Sequence, residues 1–226
     1  SLDSDTREKK LNYEEIKKIH EQKTAKLFEF CIAAPFIISN KSQYLKSMIA
    51  IELVHSYSLI HDDLPCMDDD DYRRGRLSTH KKYDEAQAIL AGNSLLTMGF
   101  NLLSQDSNPA LVKLLSLLSG HEGLAGGQSL DIDTIEKKLN YKIIKKIHEQ
   151  KTARLFEFCL AAPFIISNKS QIEINLSRKY GKIIGTIFQI IDDIHDYENK
   201  DNEYINILNV MTKDDALEKC YRYEAE

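Results

Sequence analysis

The chain has 226 residues, of which 42% are hydrophobic, and 30 Lys and Arg against 35 Asp and Glu leave a formal net charge of −5. That length makes one domain the default and supplies enough apolar residues for a real core, while the acidic balance removes the electrostatic case for a nucleic-acid partner. No apolar run approaches the roughly 18 residues of a membrane span, the charged N-terminus does not read as a signal peptide, and Cys31, Cys66, Cys159 and Cys220, with no Cys-x-x-Cys spacing, read as reduced packing residues of a cytoplasmic protein.

Few Gly and Pro and long runs with a period near 3.6 predict an all-α chain. Residues 1–43 are a near copy of residues 129–171, with six differences between them. One duplication is too few units for a solenoid, so the reading is a duplicated helical segment, 1–43, ahead of a single core, 44–226. The first helix runs from about Tyr13, carries Ile16, Ile19, Leu27, Phe30 and Cys31 on one side, and is ended or kinked by Pro35. Ile132, Ile135 and Ile143 of the second copy are Ser4, Arg7 and Glu15 in the first, which predicts that the second copy buries a face that the first exposes. Asn12 with Glu15 makes a capping box that Ile143 removes from the second copy. A second helix starts near Tyr44 and delivers an acidic cluster at its C-terminal end; from Arg74-Gly75 onward the chain reads as loop. A third helix spans about Asp84 to Leu103. A fourth follows Pro109 through the glycine-containing stretch to Leu130, the second repeat copy supplies a fifth, and a sixth runs from about Ile172 to Asp192. A short helix near Lys213 to Tyr223 closes the chain.

Two aspartate clusters dominate the chemistry. The first reads HDDLPCMDDDDYRRG, with Asp62, Asp63 and Asp68 ahead of Arg73 and Arg74; the second reads FQIIDDIHD, with Gln189, Asp192, Asp193 and Asp196. A lone acidic run is most often a solvated loop. Two of them on apolar helices are different, because like charges at 4 Å repel by about 4 kcal/mol at intermediate dielectric unless water or a metal neutralises them. Asp192 and Asp196, at i and i+4, share one helix face. Oxygen donors without a Cys or His set point to a hard ion, Mg²⁺ above all, whose remaining ligands are usually water and phosphate. The arginine pair suits a diphosphate. Antiparallel packing would bring both clusters to one end of a helical bundle, facing a central cavity. His61, His80 and His121 read as structural hydrogen-bonders, and Gly126-Gly127 as a close helix contact.

These residues resemble the trans-isoprenyl diphosphate synthases. The first cluster is similar to that family's DDxxxxD motif with its RRG tail, and Asp192, Asp193 and Asp196 to its second DDxxD motif; GHEGLAGGQSLDI, Lys151-Thr152 in HEQKTARLF, HSYSLIHDDLP and AILAGNSLL resemble further family segments. The resemblance covers roughly residues 47–212. It implies an isoprenoid-synthase-type antiparallel bundle and a Mg²⁺-dependent prenyltransferase that joins an allylic diphosphate, dimethylallyl or geranyl, to isopentenyl diphosphate and gives farnesyl diphosphate. It implies about three Mg²⁺ ions with substrate bound, Asp62 and Asp68 as ligands from one side with Asp63 in support, and Asp192, Asp193 and Asp196 from the other. Arg73, Lys151, Thr152 and Gln189 would hold the allylic diphosphate and take part in its departure; Arg74 and His55 would help to hold isopentenyl diphosphate. Tyr57, five residues before Asp62, resembles the aromatic stopper that sets a farnesyl-length product. The family is commonly dimeric, so a homodimer is expected.

The chain also departs from the family pattern. The Gly-Lys-Arg-x-Arg-Pro segment expected before the first aspartate helix, which supplies cations to isopentenyl diphosphate, is replaced here by the duplicated segment, and the region after the second cluster is shortened. A second expectation follows: a degenerate homologue that binds Mg²⁺ and diphosphate but condenses weakly or not at all, as in a noncatalytic subunit.

Overall fold

The first described helix, α1 (Ser42–Asp62), buries Tyr44, Ser47, Ala50, Ile51, Val54 and Ser58, a stripe at helical spacing. The computed structural model describes residues 42–105, 108–134, 138–198 and 205–224. The helix expected from Tyr13, its capping box and Pro35 therefore lie outside the described residues.

Beyond α1 the expected loop is a tight ribbon. Strand β1 (Tyr72–Arg73) pairs antiparallel with β2 (Arg76–Leu77), and Arg74 and Gly75 turn the corner with φ of 54° and 73°. Positive φ at both central residues is the signature of a two-residue type I′ hairpin, which right-twisted strands favour and Gly permits. A single turn, α2 (Thr79–Lys82), follows. Helix α3 (Glu85–Ser104) is capped by Asp84, which accepts from the Gln87 N–H at 2.7 Å.

The helix expected to run from Pro109 to Leu130 is two: α4 (Pro109–Ser119) and α5 (Leu124–Thr134). Gly120 ends α4 with ψ of −159°, and the backbone at Gly123 crosses so close over the end of α4 that a Cβ there would lie 1.9 Å from the Leu118 carbonyl oxygen. Each glycine weakens a helix by about 1 kcal/mol relative to Ala, and here the pair marks a sharp break.

The second repeat copy forms α6 (Tyr141–Ile147), a π-helical turn (His148–Ala153) and α7 (Arg154–Ile166) in unbroken succession. Asn140 alone caps α6, accepting from the Ile143 N–H at 3.1 Å. Pro163, the counterpart of Pro35, sits inside α7, which runs on to Ile166. Ile132 and Ile143 are half-buried, not core residues; Ile135 is outside the described residues. Helix α8 spans Gln171–Glu198, so Asp192, Asp193 and Asp196 lie within its last turns, where the sequence reading had ended it at Asp192. A 3₁₀ turn (Ile207–Asn209) and α9 (Lys213–Glu224) complete the described chain.

Helix α7 is the centre of the bundle. Phe156, Phe158, Cys159, Ala161 and Ala162 are fully buried and join residues of α1 and α4 in the main core. A smaller core joins Ile144 of α6, Ile190 and Ile194 of α8, Ile207, and Ala216 and Cys220 of α9. Helix α8 meets the π-turn and α7 at backbone distance: a Cβ on Gly185 would lie 2.5 Å from the Ala153 Cα, and one on Gly181 2.6 Å from the Glu157 Cα. Buried Glu157 ties the same pair together, accepting from Arg154 Nη1 and Arg178 Nε at 2.7 Å each, so its charge is compensated. No described helix is long and apolar enough to cross a membrane. Cys66, Cys159 and Cys220 form no disulfide, and the first is exposed and the others buried.

Candidate metal and diphosphate site

The C-terminus of α1 is Asp62, and the loop after it curls back so that the Asp68 N–H donates to the Asp62 carbonyl at 2.9 Å. Both carboxylates are thereby held together. Burial pushes the Asp62 carboxyl up to about 7; nearby Lys151 opposes the rise and Asp68 adds to it. Asp63 and Asp68 are also raised, again chiefly by burial. Asp63 is buried and its Oδ1 accepts from Arg73 Nε at 2.7 Å; Arg73 Nη2 also reaches Asp70 Oδ2 at 2.9 Å. The hairpin turn places Arg74 next to Arg73 at the same end of α1. His55 feels both: burial, then Arg74, then Arg73 lower its pKa to about 4, so near neutrality it offers hydrogen bonding rather than charge.

The π-turn carries Lys151 and Thr152, and these adjacent residues reach in two directions. Lys151 Nζ donates to Asp131 Oδ2 at 2.7 Å and stands 3.9 Å from Asp68 Oδ2. Burial disfavours its charge, but Asp62, Asp131 and Asp68 outweigh that and raise its pKa. Thr152 Oγ1 donates to Gln189 Oε1 on α8 at 2.7 Å, and Gln189 Nε2 donates to Asp193 Oδ1 at 3.1 Å. Asp193 is buried: its Oδ2 accepts from the Ile207 N–H at 2.6 Å and lies 3.1 Å from His148 Nε2, an ion-pair distance without hydrogen-bond alignment. Asp192 and Asp196 are half-buried, one and two turns past Gln189 on the same helix. π-turns are rare and recur at functional sites; here the turn links the first acidic cluster to the second.

Two residues of this network were not singled out by sequence reading. Asp131 is the aspartate of the GHEGLAGGQSLDI segment that carries part of the family resemblance, but nothing in the sequence pairs it with Lys151. His148, three residues before Lys151, reads in sequence as one more polar helix residue. Gly127 is a close contact: a Cβ there would lie 2.4 Å from the Lys151 backbone nitrogen, so α5 lies against the π-turn. Tyr57 sits edge-on to His61 with ring centroids 5.3 Å apart and packs on the main core. His61 Nε2 is 3.2 Å from the Ile89 carbonyl, as a structural hydrogen-bonder should be. His121 differs from that expectation: its side chain is almost wholly exposed, 3.8 Å from Glu122, because it sits in the break between α4 and α5.

The donors at the acidic ends are carboxylate oxygens, some raised by burial and mutual repulsion, a set that fits a hard divalent cation such as Mg²⁺. The fold is thus an all-α bundle that carries a metal-fitting acidic site, a half-buried lysine and two adjacent arginines. Residues 39–219 match the polyprenyl synthetase family, and the chain belongs to that family. It is 42% identical over 162 residues to a farnesyl diphosphate synthase of Bacillus subtilis (strain 168), covering 68% of this chain and 55% of the relative. It is 45% identical over 155 residues to a farnesyl diphosphate synthase of Micrococcus luteus, covering 66% and 53%. The chain thus spans about half the length of the curated relatives it matches. Among solved structures, a geranyltransferase of Helicobacter pylori 26695 superposes with a TM-score of 0.78 at 34% identity, covering 89% of this chain and 72% of that one. A geranyltransferase from Helicobacter pylori complexed with magnesium and isoprenyl diphosphate gives a TM-score of 0.76 at 30% identity, covering 96% and 80%.

Proposed function

We propose that the chain is a Mg²⁺-dependent trans-prenyltransferase that condenses geranyl or dimethylallyl diphosphate with isopentenyl diphosphate to give farnesyl diphosphate. The observation that carries this reading is the divided reach of Lys151 and Thr152, the first toward Asp62, Asp68 and Asp131, the second to Gln189 and so to Asp193. Adjacent residues that reach the loop after the first acidic helix on one side and the second acidic helix on the other support the reading of a single diphosphate pocket between them. Asp62 and Asp68 would hold Mg²⁺ on one side and Asp192 and Asp196 on the other; Asp63 steadies Arg73, and Asp193 steadies Gln189. When bound, about three Mg²⁺ ions supply charge stabilisation to the departing diphosphate.

Arg73, Lys151, Thr152 and Gln189 orient the allylic diphosphate so that its carbon–oxygen bond breaks toward the cations. The double bond of isopentenyl diphosphate, held by Arg74 and His55, then attacks the allylic carbon, and a proton leaves to the released diphosphate. Core side chains exclude water, which would otherwise capture the cation. Tyr57, at the C-terminal half of α1 and packed on the core, limits the growing chain. We also infer a homodimer; Leu90 and Met98 of α3, exposed among the described residues, support a subunit contact.

The test is incubation of the purified chain with Mg²⁺, geranyl diphosphate and labelled isopentenyl diphosphate. The expected outcome is labelled farnesyl diphosphate, with Tyr57→Ala lengthening the product. Removing a charge-assisted contact costs about 1.5–3 kcal/mol, so Lys151→Ala should weaken allylic-diphosphate binding by about 10- to 100-fold. Lys23→Ala, at the matching position of the first repeat copy, should leave it unchanged. Metal-dependent binding without any longer product would overturn condensation and favour the noncondensing homologue. Equal losses in the two lysine variants would overturn the assignment of the site to the second copy.

A further inference from the structure

Outside the groups assigned to Mg²⁺, Asp69, Asp71 and His80 each offer one ligand atom, and these atoms all lie within 4.8 Å of one another. The two carboxylates are exposed, and alone they would be ordinary solvated acids. His80 is the independent observation. It is 7% exposed, and its Nε2 is fully buried without a hydrogen-bond partner. Its Nδ1 lies 3.2 Å from Ser78 Oγ. In the tautomer that donates from Nδ1 to Ser78, Nε2 keeps its lone pair and the ring is fixed in orientation, the arrangement in which metal-bound histidines are usually held. Ser78 also anchors the acidic side, since its N–H donates to the Asp71 carbonyl at 2.9 Å.

We propose that Asp69, Asp71 and His80 form a second cation site that takes a borderline divalent transition ion of the Zn²⁺ or Co²⁺ class. A buried imidazole nitrogen selects such ions over Mg²⁺, which prefers oxygen alone, and three protein ligands leave one position for water. Lys81 Nζ pairs with Asp71 Oδ1 at 2.8 Å; it competes with a cation for that carboxylate and, being partly exposed, can swing into solvent. Binding would pin residues 69–71 to α2. Asp68 and Arg73 flank that loop, so occupancy would set the freedom of the first aspartate motif.

The full chain is titrated with Co²⁺ at saturating Mg²⁺, followed by visible absorption and calorimetry. One Co²⁺ should bind with the intense bands of a four-coordinate site. His80→Gln and the exposed Asp71→Asn should each weaken binding by at least about tenfold, and Lys81→Ala should tighten it. Asp71→Asn keeps the test decisive if His80→Gln fails to fold. Weak six-coordinate bands that Mg²⁺ abolishes, or Co²⁺ affinity unchanged in both ligand variants, would overturn the proposal.

Discussion

At the scale of single residues, Asp62 is the most informative group. Its folded pKa of about 7 lies far above an ordinary carboxylate, chiefly through burial. The native state therefore binds more protons than the unfolded chain between about pH 4 and pH 7, and this group's contribution to stability falls as pH rises through that window. A divalent cation held by Asp62, as proposed, would reverse the effect, because it binds only the deprotonated carboxylate. The rise in melting temperature on adding Mg²⁺ should be distinctly larger at about pH 8 than at about pH 5.5, as measured by scanning fluorimetry; equal rises at both would separate Asp62 from the metal. The two acidic clusters were legible as candidates because charge repulsion on apolar helices demands an explanation. Asp131 and His148 were not, since their partners are 20 and 45 residues away in sequence and a single polar residue has no periodicity to announce it.

At the scale of elements, the contact between α7 and α8 positions the site. Gly185 lies against Ala153, the last residue of the π-turn, and Gln189 lies one turn further on. Gly185→Ala places a methyl 2.5 Å from the Ala153 Cα. The better helix propensity of Ala gains about 1 kcal/mol, and overpacking against backbone costs about 1–3 kcal/mol; the clash wins because backbone cannot turn aside. Urea denaturation should show a net loss of about 1 kcal/mol, and an unchanged or higher midpoint would mean that the helices part easily. The long helices were readable from their apolar periodicity, and α3 starts within a residue of expectation because Asp84 is a good N-cap. The hairpin escaped because strands of two residues have no pattern; it rests on the left-handed φ of Arg74 and Gly75. The division of α4 from α5 escaped because apolar residues continue on both sides of Gly120.

At the scale of the whole molecule, the bundle has a large core around α7 and a smaller one that joins α6, α9 and the last turns of α8. The smaller core leans on Asp193, whose carboxylate receives the Ile207 N–H and whose carbonyl receives Asn206 Nδ2 at 2.7 Å. Hydrogen exchange should find the amides of 207–217 opening before those of α1 and α7, and Asp193→Asn should hasten the former while leaving α1 unchanged; uniform exchange across both cores would contradict this. The all-α architecture was legible in composition and period. The bridge between the acidic helices was not, because it depends on a π-turn. Such a turn holds one residue more than the α-turn it replaces. Deleting one residue from 148–153 would close the rod into ordinary helix with both flanks still in register, leaving a folded protein whose lysine and threonine no longer splay apart. The capacity for chemistry at this point is a matter of letter count, separable by a single lost codon from the capacity to fold.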